Sequence, residues 1–138
     1  MLQVEVNLFI VLIAAVVNMV VGFIWYHPQV FGKAWMEAIG KTQKDLEGMK
    51  KEANKAYALS FLGALVMSYV LANFVFYSQA TNFKEGLVTG FLLWLGFIAT
   101  IAWNNYLFEQ KPKKLVLINS GYYLAALICM SIVLALWS

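Results

Sequence analysis

The sequence contains no arginine, one histidine (His27) and one cysteine (Cys129) among its 138 residues. A lone cysteine excludes an intramolecular disulfide and any metal site built from several cysteines. With a single histidine, the chain also offers few pairs of nucleophile and base for covalent catalysis. We therefore expect a protein that is not an enzyme and that holds no metal and no cofactor.

Charge is also scarce, because only 12% of the residues are charged while 62% are hydrophobic. A soluble domain is roughly a quarter charged and about half apolar. Four windows carry no charged residue, namely 6–32, 56–83, 86–108 and 115–138. Each is longer than the roughly 20 apolar residues that cross the hydrocarbon layer of a bilayer as a helix.

The sequence therefore predicts an all-α integral membrane protein in which four transmembrane helices form a bundle. We expect a single membrane domain over residues 1–138, with a cytoplasmic segment at 27–55. The predicted spans are about 7–26, 56–78, 86–108 and 115–137.

All ten basic residues are lysines, and nine of them lie in two segments, 33–55 and 111–114. Because short lysine-rich loops remain in the cytoplasm, both termini are expected outside a cytoplasmic (inner) membrane. The aromatic residues expected at the inner interface are Trp25, Tyr26, Phe31, Trp35, Tyr57, Trp103 and Tyr106. The net charge of +3 suits attraction to anionic headgroups, so membrane lipids are the expected partners and nucleic acid is not.

The cytoplasmic segment has its own helix signals. Pro28 should end the first span, and a short interfacial helix is expected between Pro28 and Gly40. Thr42 and Asp45 have the spacing of a capping box. Beyond them the apolar repeat continues from Gln43 to Tyr77, which predicts one helix that begins in the cytoplasm and extends into the second span.

Small residues spaced four apart indicate where helices approach closely, because membrane helices associate through close packing rather than through hydrophobic burial. The second span carries five of them in register. They are Ala56, Ser60, Ala64, Ser68 and Ala72. Shorter patterns occur in the other spans, including Gly86 and Gly90 in the third. We expect a tight bundle, with some of these faces available for a homo-oligomer.

No charged residue lies deep in a span, which argues against a proton relay. The polar residues present gather in the inner half. The candidate binding residues there are Asn18, Trp94, Asn104, Asn119, Tyr122 and Tyr123. On one interpretation, the amides and hydroxyls form hydrogen bonds between helices and fix their register. On the other, they line a pocket open to the cytoplasm for a small neutral solute or a lipid, with Trp94 and the tyrosines as walls.

Three hypotheses for function follow. The first is a non-catalytic membrane protein with such an inner-leaflet pocket. The second is a small oligomeric channel or facilitator, with a path from Asn18, Asn104 and Asn119 toward Asn73. The third is a membrane enzyme that uses His27 or Glu109, for which the sequence offers little chemistry.

Five blocks of the sequence form a distinctive pattern, namely Trp25-Tyr26-His27-Pro28, Phe31-Gly32-Lys33-Ala34-Trp35-Met36, Gly90-Phe91-Leu92-Leu93-Trp94-Leu95-Gly96-Phe97, Leu107-Phe108-Glu109 and Ile118-Asn119-Ser120-Gly121-Tyr122. These blocks resemble the small bacterial membrane proteins of domain of unknown function family 1761. The resemblance runs over nearly the whole chain and implies four spans in a bacterial-type cytoplasmic membrane. It implies no activity, because the family is uncharacterised.

Overall fold

The computed structural model describes residues 6–137, and this part of the chain is helical without any strand. The helices are α1 (Leu8–Trp25), α2 (Lys33–Ile39), α3 (Gln43–Glu47), α4 (Lys50–Tyr77), α5 (Phe83–Leu93), α6 (Thr100–Glu109) and α7 (Lys113–Trp137). Two π-helical segments, Pro28–Gly32 and Trp94–Ala99, precede α2 and connect α5 to α6. The terminal residues 1–5 and 138, which the sequence analysis places outside the membrane, lie outside the described part.

Four of these helical stretches are long and apolar enough to cross a membrane. They are Leu8–Trp25, Lys50–Tyr77, Phe83–Glu109 and Lys113–Trp137. The third combines α5, the second π-helical segment and α6 into one continuous helix. The number of long apolar helices and their approximate positions therefore agree with the sequence prediction.

The connections between α1 and α3 follow the local signals in the sequence. α1 ends at Trp25, three residues before Pro28. Gly40 terminates α2 in a left-handed conformation with φ of 73°, which glycine adopts without steric cost. The capping box is confirmed, because Thr42 and Asp45 exchange both of its hydrogen bonds. Hydrogen bonding of the Asp45 carboxyl to Thr42, first to its backbone N–H and then to its side chain, holds the pKa of that carboxyl below its usual range.

The predicted continuous helix from Gln43 to Tyr77 is wrong at its beginning. α3 ends at Glu47, and α4 starts only at Lys50 after a turn at Gly48 and Met49. A glycine costs about 1 kcal/mol in a helix interior, and no residue of α3 is buried to offset that cost. The helix therefore extends before the predicted span by residues 50–55 alone, which is about 9 Å.

Helix α7 lies at the centre of the packing and contacts α5, α1, α4 and α2. Its closest neighbour is α5, which approaches through Gly86 and Gly90. A Cβ atom at Gly90 would lie 2.7 Å from the carbonyl oxygen of Leu127, and one at Gly86 would lie 2.9 Å from that of Ser131. The glycine pair of the third span thus marks a contact between helix backbones, as its spacing predicts.

Helices α1 and α4 pack along only part of the predicted stripe of small residues. Ser68 is fully buried and donates a 2.7 Å hydrogen bond to the carbonyl oxygen of Val11. Ala64 and Ala72 are also buried. In contrast, Ala56 and Ser60 are exposed, so the expectation of burial is wrong for these two residues.

Aromatic side chains account for the loss of contact at this end of α4. The rings of Phe23 on α1 and Tyr57 on α4 lie 5.4 Å apart. Because the side chains at a contact set the distance between helix axes, two rings keep the backbones farther apart than alanine and serine would. Ala56 and Ser60 therefore do not reach α1.

Candidate functional site

Asn18, on α1, is the most deeply buried of the candidate binding residues, with 4% of its surface exposed. Its side-chain oxygen accepts a hydrogen bond from the Tyr122 hydroxyl. Its amide nitrogen lies 3.5 Å from the sulfur atoms of Met67 and Met130. Both polar atoms of this amide therefore have partners within the protein.

A second set of hydrogen bonds joins the end of α1 to the beginning of α7. The Tyr26 hydroxyl donates to the side-chain oxygen of Asn119 over 2.7 Å, and the Trp25 indole N–H donates to the carbonyl oxygen of Ile118 over 2.9 Å. Gly121 makes room for Trp25, because a Cβ atom there would lie 2.8 Å from the indole ring. We refer to Asn18, Tyr26, Asn119 and Tyr122 as the tyrosine–asparagine network.

The network is continuous, since the rings of Tyr26 and Tyr122 lie 5.5 Å apart. Tyr123 lies at its edge, 5.0 Å from Tyr122 and partly exposed. Of the six predicted binding residues, the structure thus brings together Asn18, Asn119, Tyr122 and Tyr123. The amide oxygens of Asn18 and Asn119 accept hydrogen bonds from tyrosines, an arrangement that joins α1 to α7.

The remaining two candidates lie elsewhere. Asn104 is exposed on α6 and has no part in the tyrosine–asparagine network. Trp94 lies on the α5 side of α7, where its indole N–H donates a 2.8 Å hydrogen bond to the carbonyl oxygen of Ser120. Asn73, named for a channel path, donates to the carbonyl oxygen of Tyr69 on its own helix.

Trp94 borders a groove between α6 and α7, which we call the α6–α7 groove. Its volume is about 210 Å³, it is partly open, and its lining is almost wholly apolar. Among the lining residues are Trp94, Ala102, Trp103, Tyr106, Lys113 and Leu117. Three aromatic rings therefore form walls along an open apolar surface, with one lysine at the end nearest the connection between the helices.

The π-helical segment Trp94–Ala99 explains why a groove forms at this position. Before this segment in the chain, the glycines of α5 hold that helix against α7. After it, α6 makes few contacts with α7. A π-helical turn contains an extra residue and changes the direction in which the following helix continues. The hydrogen bond from the Thr100 hydroxyl to the Gly96 carbonyl oxygen, 2.8 Å long, lies at the end of the same segment.

The lysines at the end of the groove differ in their partners. Lys111 forms an ion pair with Glu109 at 3.0 Å, and Lys114 forms one with Glu37 of α2 at 3.1 Å. Lys113 has no acidic partner within the part of the chain that the structure describes. One end of the groove is therefore lined by a lysine that forms no ion pair within residues 6–137.

Residues 9–135 match the family model described as "Protein of unknown function (DUF1761)". The chain belongs to this family. The match confirms the resemblance noted in the sequence and includes every residue of the network and of the groove. Comparison of this DUF1761 chain with curated proteins and with solved structures gives no match.

Several residues of these features in the DUF1761 chain were not among the predicted binding residues. Trp25 and Tyr26 were expected at the interface as anchors, yet their polar atoms bond to α7. The sequence predicts Trp103 and Tyr106 at the same interface, and Lys113 there indicates only the orientation of the helices. The available signal was that Trp103, Tyr106 and Lys113 lie close together in sequence, but the groove lies beside the π-helical segment, which the sequence does not mark.

Proposed function

We propose that this DUF1761 protein is a single integral domain of the cytoplasmic membrane that binds a membrane lipid in the α6–α7 groove, without catalysing a reaction. The observation that carries the proposal is the open, apolar groove with aromatic walls at a lysine-rich end of the helices. Membrane binding sites for amphiphiles require an apolar surface beside a polar boundary, and the groove offers both.

The exposed surface of the helices supports placement in a membrane. Large apolar side chains face outward on each long helix, for example Val66 at 65% exposure and Phe97 at 62%. Contiguous exposed apolar surface of this kind marks contact with lipid or with other proteins. The lysine distribution supports an orientation with residues 27–55 and 109–114 in the cytoplasm and both termini outside. In this orientation the groove opens to the inner leaflet.

The dimensions of the groove suit an acyl chain. Along α7 the groove extends from Lys113 to Ser120, which is about 10 Å of helix, and along α6 and the π-helical segment it extends from Tyr106 to Trp94, about 18 Å. One leaflet of hydrocarbon is about 15 Å deep. Clefts that enclose whole small molecules have volumes of roughly 300–1,000 Å³. A smaller, open groove suits a chain that lies along it.

Lipid retention after purification tests this proposal. Ala102→Trp places a large ring in the groove. Most of the bound lipid that native mass spectrometry detects on the wild type should therefore be missing from this variant. Ala58→Trp adds the same ring to an exposed position of α4, away from the groove, and should retain lipid like the wild type. If Ala102→Trp and Ala58→Trp carry equal amounts of lipid, or if the wild type carries none after lipid is added back, the proposal is wrong.

A further inference from the structure

We propose that the lipid in the α6–α7 groove has an anionic headgroup, and that the ammonium group of Lys113 selects it. This inference rests on the proposed lipid-binding function and adds the chemical class of the ligand. It arises from the contrast among three neighbouring lysines, of which Lys111 and Lys114 form ion pairs with Glu109 and Glu37. Lys113 lines the groove and lacks such a partner among the described residues.

The surroundings of Lys113 strengthen its attraction for an anion. It is the first residue of α7, and the first turn of that helix contains no acidic side chain. The free N–H groups at a helix N-terminus add positive potential at the same place. The Lys113 ammonium is a compact point charge that suits a phosphate oxygen.

The position of the charge relative to the groove indicates a lipid rather than a free ion. From Lys113 the groove continues along α7 past Leu117, with Trp103 and Tyr106 on the opposite helix. A phosphate bound at Lys113 would therefore place its attached acyl chain against apolar and aromatic side chains. A zwitterionic headgroup brings its own ammonium group to the same position, where two positive charges repel each other.

Binding of two lipids with identical acyl chains tests the inference. We expect the delipidated wild type to bind phosphatidylglycerol about fivefold more tightly than phosphatidylethanolamine, because one lysine near a membrane surface contributes about this factor. Lys113→Gln should lose most of this preference while its binding of phosphatidylethanolamine is unchanged. Lys111→Gln and Lys114→Gln are the controls. Each removes one positive charge near the connection between α6 and α7, and each should keep the preference for phosphatidylglycerol. Native mass spectrometry measures the dissociation constants, and melting curves show that each variant is folded.

The outcomes separate the two proposals. If both lipids bind equally to the wild type, and Ala102→Trp abolishes both, the groove binds lipid without selection and the role of Lys113 is overturned. A loss of preference as large in Lys111→Gln or Lys114→Gln as in Lys113→Gln also overturns it, because the attraction would then come from the whole lysine segment. If neither lipid binds in a way that depends on Ala102, both proposals are overturned.

Discussion

Replacement of Gly90 by leucine is expected to lower the free energy of unfolding by about 3 kcal/mol or more, because the new side chain has no space. A Cβ atom at this position would already lie 2.7 Å from the Leu127 carbonyl oxygen and 2.9 Å from the Ile128 Cα. Both are backbone atoms of α7, which cannot move aside as a flexible side chain can. Helices α5 and α7 must therefore separate, and thermal unfolding in detergent should begin at a clearly lower temperature.

Gly63 provides the matched control for this prediction. It lies inside α4, and no atom lies within 4 Å of a Cβ atom built there. Gly63→Leu should not lower the free energy of unfolding and should raise it by up to about 1 kcal/mol, because glycine costs about that much in a helix interior and the added side chain meets no neighbour. Equal melting temperatures for Gly90→Leu and Gly63→Leu would show that α5 does not pack against α7 through its glycines.

Replacement of Asn18 by leucine is expected to lower the free energy of unfolding by about 2–3 kcal/mol. The substitution removes the side-chain acceptor of the Tyr122 hydroxyl and leaves it only the Asn18 carbonyl oxygen, at 3.4 Å. A poorly paired polar group beside a buried position costs about 1–3 kcal/mol. The branched leucine side chain must also fit between Met67 and Met130, which adds strain. Circular dichroism during heating measures the effect.

Asn104 offers the same chemical change in an exposed position. Asn104→Leu leaves no hydroxyl without an acceptor, so its melting temperature should match that of the wild type. The pair also distinguishes the two interpretations of the polar residues. An Asn18→Leu variant with unchanged stability would contradict a structural role for the tyrosine–asparagine network.

The long helices could be predicted from the sequence because the relevant signals are local. A window without charge predicts an apolar helix. A pair such as Gly86 and Gly90 predicts a close contact on one face of that helix, whichever helix packs there. The positions of Ala56 and Ser60 could not be predicted in this way. Their exposure depends on the rings of Phe23 and Tyr57, which belong to two helices and meet only after packing.

The candidate site shows the same limit. The sequence places Asn18, Asn119 and Tyr122 in the inner half of the spans, but depth does not indicate the direction of a side chain around its helix. Tyr26 completes the network from beyond the end of α1. The groove depends on a π-helical segment at Trp94–Ala99, and its sequence carries no proline that would mark a bend.

The central claim is that the four long helices cross a membrane with the lysine-rich segments inside, so that the α6–α7 groove opens to the inner leaflet. Its most direct measurement is cysteine labelling in right-side-out vesicles, with Cys129 replaced by alanine. Gln43 and Thr81 are exposed positions in the segments expected inside and outside, respectively. A membrane-impermeant maleimide should label Thr81→Cys in intact vesicles, and Gln43→Cys only after the vesicles are opened. Labelling of Gln43→Cys but not Thr81→Cys in intact vesicles would contradict the claim and place the groove in the outer leaflet.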